Sequence, residues 1–237
     1  MSRFRPPLWA WFATPLAMAL FAALGSWQLH RAWKKEALLA DQLAAEAAPP
    51  LRAATPPPAI PERMQRLTLR GRYDAERQLQ LDNQPQDGRP GVHVWTPLLL
   101  ENGGIAIVDR GGLPLGPQAT PPAIPAPPAG TLEVTGLWRT LPRPGLVLAR
   151  HGCGSAASWP ALVEYPDVET LRCLLGAPVA DGILLLDARA PGGFARDWQL
   201  ALTAIPPSRH YAYAAQWFAF AALALFLFVK LNLRKDP

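Results

Sequence analysis

His210 is the residue whose type and setting best suit chemistry. It follows Pro206-Pro207-Ser208, and Ser208 reads as a helix N-cap, which places His210 in the first turn. The positive end of a helix disfavours imidazolium, and neutral imidazole is the form that binds a metal. Tyr213 and Trp217 follow at helical spacing, on the same face. A flat apolar macrocycle can pack on such a stripe. Interfacial anchoring is the alternative, since Tyr, Trp and His are common at membrane edges.

A second row lies near the other end of the sequence. Gly25 and Gln28 fall three apart on one helical face. A small residue admits a neighbouring helix and an amide can bond across to it, so the later apolar segment is the expected partner. Arg31 and Lys35 continue that row, with anionic groups or plain solvation as alternatives. His30 stands at the depth expected for His210, but reads as an interfacial residue. Asp109 and Arg110 precede Gly111 at a strand end, where stabilisation of a turn is expected. His93 and His151 have no second ligand nearby in sequence and are assigned no chemistry.

Several activities lack their motifs. Gly152-Cys153-Gly154-Ser155 is not a Gly-x-Ser-x-Gly elbow, and no third group orients His151 toward Cys153. No phosphate loop or paired zinc-ligand motif occurs. Cys153 and Cys173 have no metal-type spacing; they suit pairing in an oxidising compartment or two unlinked residues.

The elements that must carry these residues are largely legible. Residues 8–29 and 210–229 are uncharged over spanning length apart from His30 and His210 at their outer ends. Trp9, Trp11 and Phe12 open the first run and Trp27 closes it, as interface aromatics do. That run is too long for a signal peptide and no small-x-small cleavage site follows. Arg3 and Arg5 precede it, while Lys230, Arg234 and Lys235 follow the second. The terminal segments 1–7 and 230–237 are therefore expected in the cytoplasm and residues 30–209 outside it. Arg31, Lys34 and Lys35 run against this rule, but they lead into a long domain, which translocates largely regardless of charge. The net charge of +5 is densest at the two ends, a membrane pattern and not a nucleic-acid stripe.

Lys34 to Ala48 is expected to continue the first helix until Pro49-Pro50 stops it. Prolines mark 49–61 and 114–128 as loops. Strands are expected at Arg66–Arg72, Gln78–Asp82, Val92–Leu100, Ile105–Asp109, Leu132–Trp138, Leu146–Ala149 and Ile183–Asp187. Leu79 and Leu81 alternate with polar neighbours, as in a half-buried strand. Asn102-Gly103-Gly104 predicts a hairpin, and Asp167 to Leu175 a helix ended by Gly176. The expected fold is α+β: two transmembrane helices flanking a mainly antiparallel sheet or partly closed barrel, with few helices.

An ordered set of short motifs runs through these elements. Gly25-Ser26-Trp27-Gln28-x-x-Arg31-x-x-x-Lys35 closes the first span. Gly71-Arg72-Tyr73, Gly91-x-x-Val94-x-Thr96-Pro97-Leu98, Val108-Asp109-Arg110-Gly111-x-x-Pro114 and Gly136-Leu137-x-Arg139 follow, and His210-x-x-Tyr213-x-x-x-Trp217-Phe218 opens the second span. Together they resemble the surfeit locus protein one family, membrane-bound assembly factors of cytochrome c oxidase. The likeness is weakest over Leu141 to Ala161, and Gly112 stands where that family usually carries an aromatic residue. The resemblance implies a non-enzymatic role in building catalytic subunit I in a bacterial inner membrane, with haem a as a transient cofactor and haem a synthase as a further partner. It also implies His210 as an axial ligand, beside Tyr213 and Trp217, with Arg31 and Lys35 near haem propionates. A scaffold that binds no haem and a membrane-tethered periplasmic enzyme are the competing functions.

Overall fold

The computed structural model describes residues 2–61, 63–85, 89–117, 120–143, 158–196, 198 and 205–235. The expected strand at Leu146–Ala149, His151 and Cys153 lie outside them. The chain divides into two compact units, one of Met1–Leu39 with Thr203–Pro237, the other Ala40–Leu202.

The first unit is a helical pair. Helix α1 (Leu8–Ala47) carries Pro15 within it and runs through the Ala-, Leu- and Lys-rich segment to the proline stop. Its last residues belong to the second unit. Strand β1 (Ser2–Phe4) precedes it and pairs antiparallel with β10 (Leu233–Lys235). The other long helix, here α3, spans Pro207–Asn232. Both helices are long and apolar enough to cross a membrane, and little of either is buried. Leu8 is 82% exposed and Leu16 is 73% exposed, so these apolar faces are not packed as a soluble core would pack them. The expected Ser208 cap is corrected: Pro206 is the N-cap, with no side-chain hydrogen bond, and Pro207 occupies the first turn. Proline fits there because its missing N–H is unneeded. His210 still falls in the first turn.

The second unit is built on strands β2 (Leu51–Ala53), β3 (Gln65–Tyr73), β4 (Leu79–Leu81), β5 (Gly91–Leu100), β6 (Ile105–Pro114), β7 (Thr131–Arg139), β8 (Ala161–Val163) and β9 (Val179–Leu186). They form one sheet in the order β2-β3-β7-β9-β6-β5-β4-β8. The sheet is mixed: β2 with β3, β4 with β8 and β6 with β9 run parallel. The end of β3 also meets β5 over Gly71–Tyr73, so the sheet curls, but it is not a closed barrel. Of these pairs β2 and β3 are consecutive, joined through a proline-rich segment, while β4 with β8 and β6 with β9 pair strands distant in sequence, which hairpin reasoning does not reveal. Helix α2 (Val168–Leu175) joins β8 to β9 and is capped by Asp167 and by Gly176 at φ 63°.

Side chains from both arms of the curled sheet make the core, including Leu67, Leu69, Leu98, Val108, Val134, Trp138 and Leu184. Three local expectations are corrected. All of β4 is buried, because Gln80 turns inward and donates from Nε2 to the Pro122 carbonyl at 2.8 Å. The proline-rich stretch 49–61 holds strand β2, and strand β6 runs on to Pro114 instead of ending at Asp109.

Candidate functional site

The first site lies within the helical pair. Gln28 of α1 and His210 of α3 meet, with Nδ1 of His210 at 2.7 Å from Oε1 of Gln28. An amide oxygen only accepts, so Nδ1 is the donor, and in the neutral imidazole Nε2 then holds the lone pair. Nε2 is buried and has no hydrogen-bond partner among the described residues. Ala214 is 1% exposed, one turn along the same face. Gly25 makes the close approach: a Cβ there would lie 2.8 Å from the Phe218 ring. Trp217 points into this contact and stacks on Phe21 at a centroid distance of 5.9 Å. Tyr213 is exposed on another side. The structure therefore does not gather His210, Tyr213 and Trp217 into one open stripe. Ala214 is buried beside His210 and Phe218 meets Gly25, while the Trp217 ring is taken up by Phe21.

Around the same helix ends, Tyr211 donates to Glu36 Oε2 at 2.8 Å and Lys35 donates to the Ile205 carbonyl at 2.5 Å. Arg31 sits over the Trp27 ring at 5.4 Å. His30 is exposed and no hydrogen bond joins it to His210.

Two buried polar groups lie in the sheet unit, around Asp109 and around Arg110, and sequence reasoning assigned no chemistry to His93 or Gln78 in them. Asp109 Oδ2 accepts from His93 Nδ1 at 2.8 Å and from Trp95 Nε1 at 3.1 Å, while Oδ1 accepts from the Gly111 amide at 2.9 Å. His93 and Asp109 are 5% and 4% exposed. Burial alone would lower the His93 pKa, but the charge and hydrogen bond of Asp109 outweigh it and raise it. Asp109 and Arg110 are thus mid-strand and inward, not a turn pair. Arg110 is 1% exposed; its Nε donates to the Gly192 carbonyl at 2.7 Å and its Nη1 to Gln78 Oε1 at 2.8 Å. Thr96 Oγ1 donates to the same Gln78 oxygen at 2.9 Å. The guanidinium lies 4.8 Å from the Phe194 ring and 6.0 Å from the Tyr73 ring. Burial pushes the Tyr73 phenol up to about 12, with Arg110 and Arg196 pulling the other way, so it stays neutral.

Gly111, at φ 103°, lets segment 192–196 lie against β6: a Cβ there would come within 2.5 Å of the Ala195 carbonyl. Gly112 exchanges backbone hydrogen bonds with Ala195 at 2.8 and 3.3 Å. The aromatic ring near Arg110 is Phe194, supplied from this segment and not from position 112. Arg139, from β7, lines a cavity of about 60 Å³ with His93, Asp109 and Trp198. Burial lowers its pKa, and the charge of Asp109 opposes that effect. Thus Tyr73, Thr96 and Arg110, dispersed in sequence, converge with Gln78, while Gly111 belongs to the Asp109 group, and Pro97 is buried in the adjoining strand. Gly71 holds the corner where β3 meets both β5 and β7.

Among the described residues no group of three or more His, Cys, Asp or Glu side chains could hold a metal ion. Cys173 is disulfide-bonded. No curated protein matches the chain. A model of the SURF1 family matches residues 16–222, which takes in the greater part of both helices, the curled sheet and each motif described above. The chain belongs to the SURF1 family of oxidase assembly factors.

Proposed function

We propose that this chain is a non-enzymatic inner-membrane assembly factor for haem-copper cytochrome c oxidase, and that it assists delivery or insertion of haem a into subunit I. The two apolar helices cross the bilayer, both termini are cytoplasmic, and the sheet unit is periplasmic. The disulfide at Cys173 supports the last point, because such bonds persist in oxidising compartments. Haem a synthase is the natural second partner, since it makes the group to be handed on.

The observation that carries the haem reading is the Gln28–His210 bond. A hydrogen-bond acceptor on one ring nitrogen is the usual device that orients a ligating histidine and fixes its tautomer. Here it leaves Nε2 as a neutral donor without a partner, which suits haem iron. When bound, haem a would supply the redox-active iron destined for the oxidase. His210 would hold it, Gln28 would keep the proton on Nδ1, and Tyr213 is the exposed aromatic on the same turns. Arg31 and Lys35 are the nearby cations in sequence for propionates.

One observation favours a scaffold that binds no haem. Nε2 is covered, and Trp217 is committed to Phe21, so ligation requires the His210 imidazole to swing outward.

Full-length protein purified from cells that make haem a decides between the two. The haem reading expects a Soret band that falls at least about tenfold in His210→Ala, weakens in Gln28→Ala and survives in His30→Ala. Wild-type protein without a Soret band, together with an oxidase defect on deletion, would establish the scaffold. An oxidase that assembles normally after deletion would remove both.

A further inference from the structure

A cavity of about 610 Å³ lies in the sheet unit, within the size range of small-molecule sites. Leu137, Leu185 and Trp198 give it an apolar wall. Three guanidinium groups, from Arg66, Arg189 and Arg196, line it against two carboxylates, from Glu46 and Asp187. Both carboxylates are engaged: Gln42 Nε2 donates to Glu46 Oε1 at 2.8 Å, and Arg66 Nη2 donates to Asp187 Oδ2 at 2.7 Å.

The cations retain unused donors. Arg196 donates through Nη1 to the carbonyls of Asp187 and Ala190 at 2.6 and 3.0 Å, but its Nε is buried without a partner among the described residues. Nε of Arg66 is in the same state. Gln42 is 1% exposed, and its Oε1 accepts nothing among the described residues. Unpaired buried polar groups are uncommon in folded proteins. Among the described residues four such side-chain atoms occur; the three just named belong to residues lining this one cavity, and the fourth is His210 Nε2.

The surplus of guanidinium over carboxylate calls for an anion, and a guanidinium fork suits a carboxylate. The Gln42 oxygen calls for a donor on the same ligand. Leu137, Leu185 and Trp198 call for an apolar body. We infer that this cavity binds an organic carboxylate that carries an apolar body and a hydroxyl or N–H donor, with Arg66, Arg189 and Arg196 facing the anion. The site lies wholly within residues 42–198 and does not depend on the haem reading.

Calorimetric titration of the full chain in phosphatidylcholine nanodiscs, corrected by empty discs, tests it with 6-hydroxy-2-naphthoate as probe. Saturable binding at one site per chain is expected. The neutral 6-hydroxy-2-naphthamide should bind at least about tenfold more weakly, as loss of a charge-assisted pair implies. Arg196→Gln should weaken the naphthoate by a similar factor. Arg189→Gln, at an exposed residue that leaves the Asp187 bonds intact, should weaken it by about threefold or more. His210→Ala should bind it as wild type does. Absence of saturable binding overturns the inference, as does equal affinity for the amide. So does unchanged affinity in Arg189→Gln, which decides the matter if Arg196→Gln fails to fold. Inorganic phosphate binding as tightly as the naphthoate would likewise overturn it, because the apolar wall would then have no part.

Discussion

The His93–Asp109 pair is a case in which burial and partnership oppose one another, and partnership prevails. Because the folded pKa of His93 is raised above its usual 6.5, protonated His93 contributes stability that is fully present below that value. The contribution is lost as pH rises through the raised folded value. Thermal unfolding of the full chain should therefore show falling stability as pH increases through the neutral range, and His93→Gln should flatten that slope. An unchanged slope in the variant would place its origin elsewhere. Arg110 carries a different expectation. Its fork donates in two directions, to Gly192 and to Gln78, and its plane lies over Phe194. A lysine ammonium cannot reproduce both bonds, so Arg110→Lys should lose about 3 kcal/mol in denaturant unfolding. A loss under about 1 kcal/mol would show that the network tolerates rearrangement. At this scale, sequence reading reached His210 and Gln28 but passed over His93 and Gln78. The hairpin turn at 102–104 already sets Trp95 opposite Asp109, which brings His93 near the same carboxylate. Extending that register along both strands was the available signal. Gln78 and Phe194 reach Arg110 from other elements, and no local pattern foretells such meetings.

At the scale of elements, glycine decides how closely neighbours approach. A Cβ on Gly136 would lie 2.1 Å from the Leu185 carbonyl, an atom of the paired strand that cannot move aside. Gly136→Ala should force β7 and β9 apart and cost about 2 kcal/mol or more. Gly25→Ala should cost less, because the atom it meets is the far end of the Phe218 ring, which can turn. Equal melting temperatures for the two variants would contradict this ranking. Long helices, capped α2 and most strands were legible because periodicity, prolines and cap residues act locally. The parallel ladders and β2 were not, because pairing between distant strands is settled by packing and not by spacing. Inward-facing Gln80 shows the same limit: an alternating pattern reads as half-buried until another loop supplies a partner carbonyl.

For the whole molecule, the decisive expectation concerns sides of the membrane. Protease added to intact spheroplasts should cut within residues 40–202, and protease added to inverted vesicles should cut only near the termini. The reverse pattern would remove both the periplasmic placement and the haem reading built on it. The pairing of β1 with β10, at residues 2–4 and 233–235, agrees with both ends lying on one side. Phe4, Trp11 and Phe228 pack edge to face beside that ladder, with centroids 5.4 to 6.0 Å apart.

That ladder and the Gln28–His210 bond also bear on biogenesis. Every contact that joins α1 to α3 waits until the ribosome has finished the intervening sheet unit. During that interval the Gln28 amide lacks the imidazole that it meets in the finished chain. The helical pair is consequently the final part of this protein to close, and a released chain truncated before residue 207 should lack it while keeping every strand of the sheet unit.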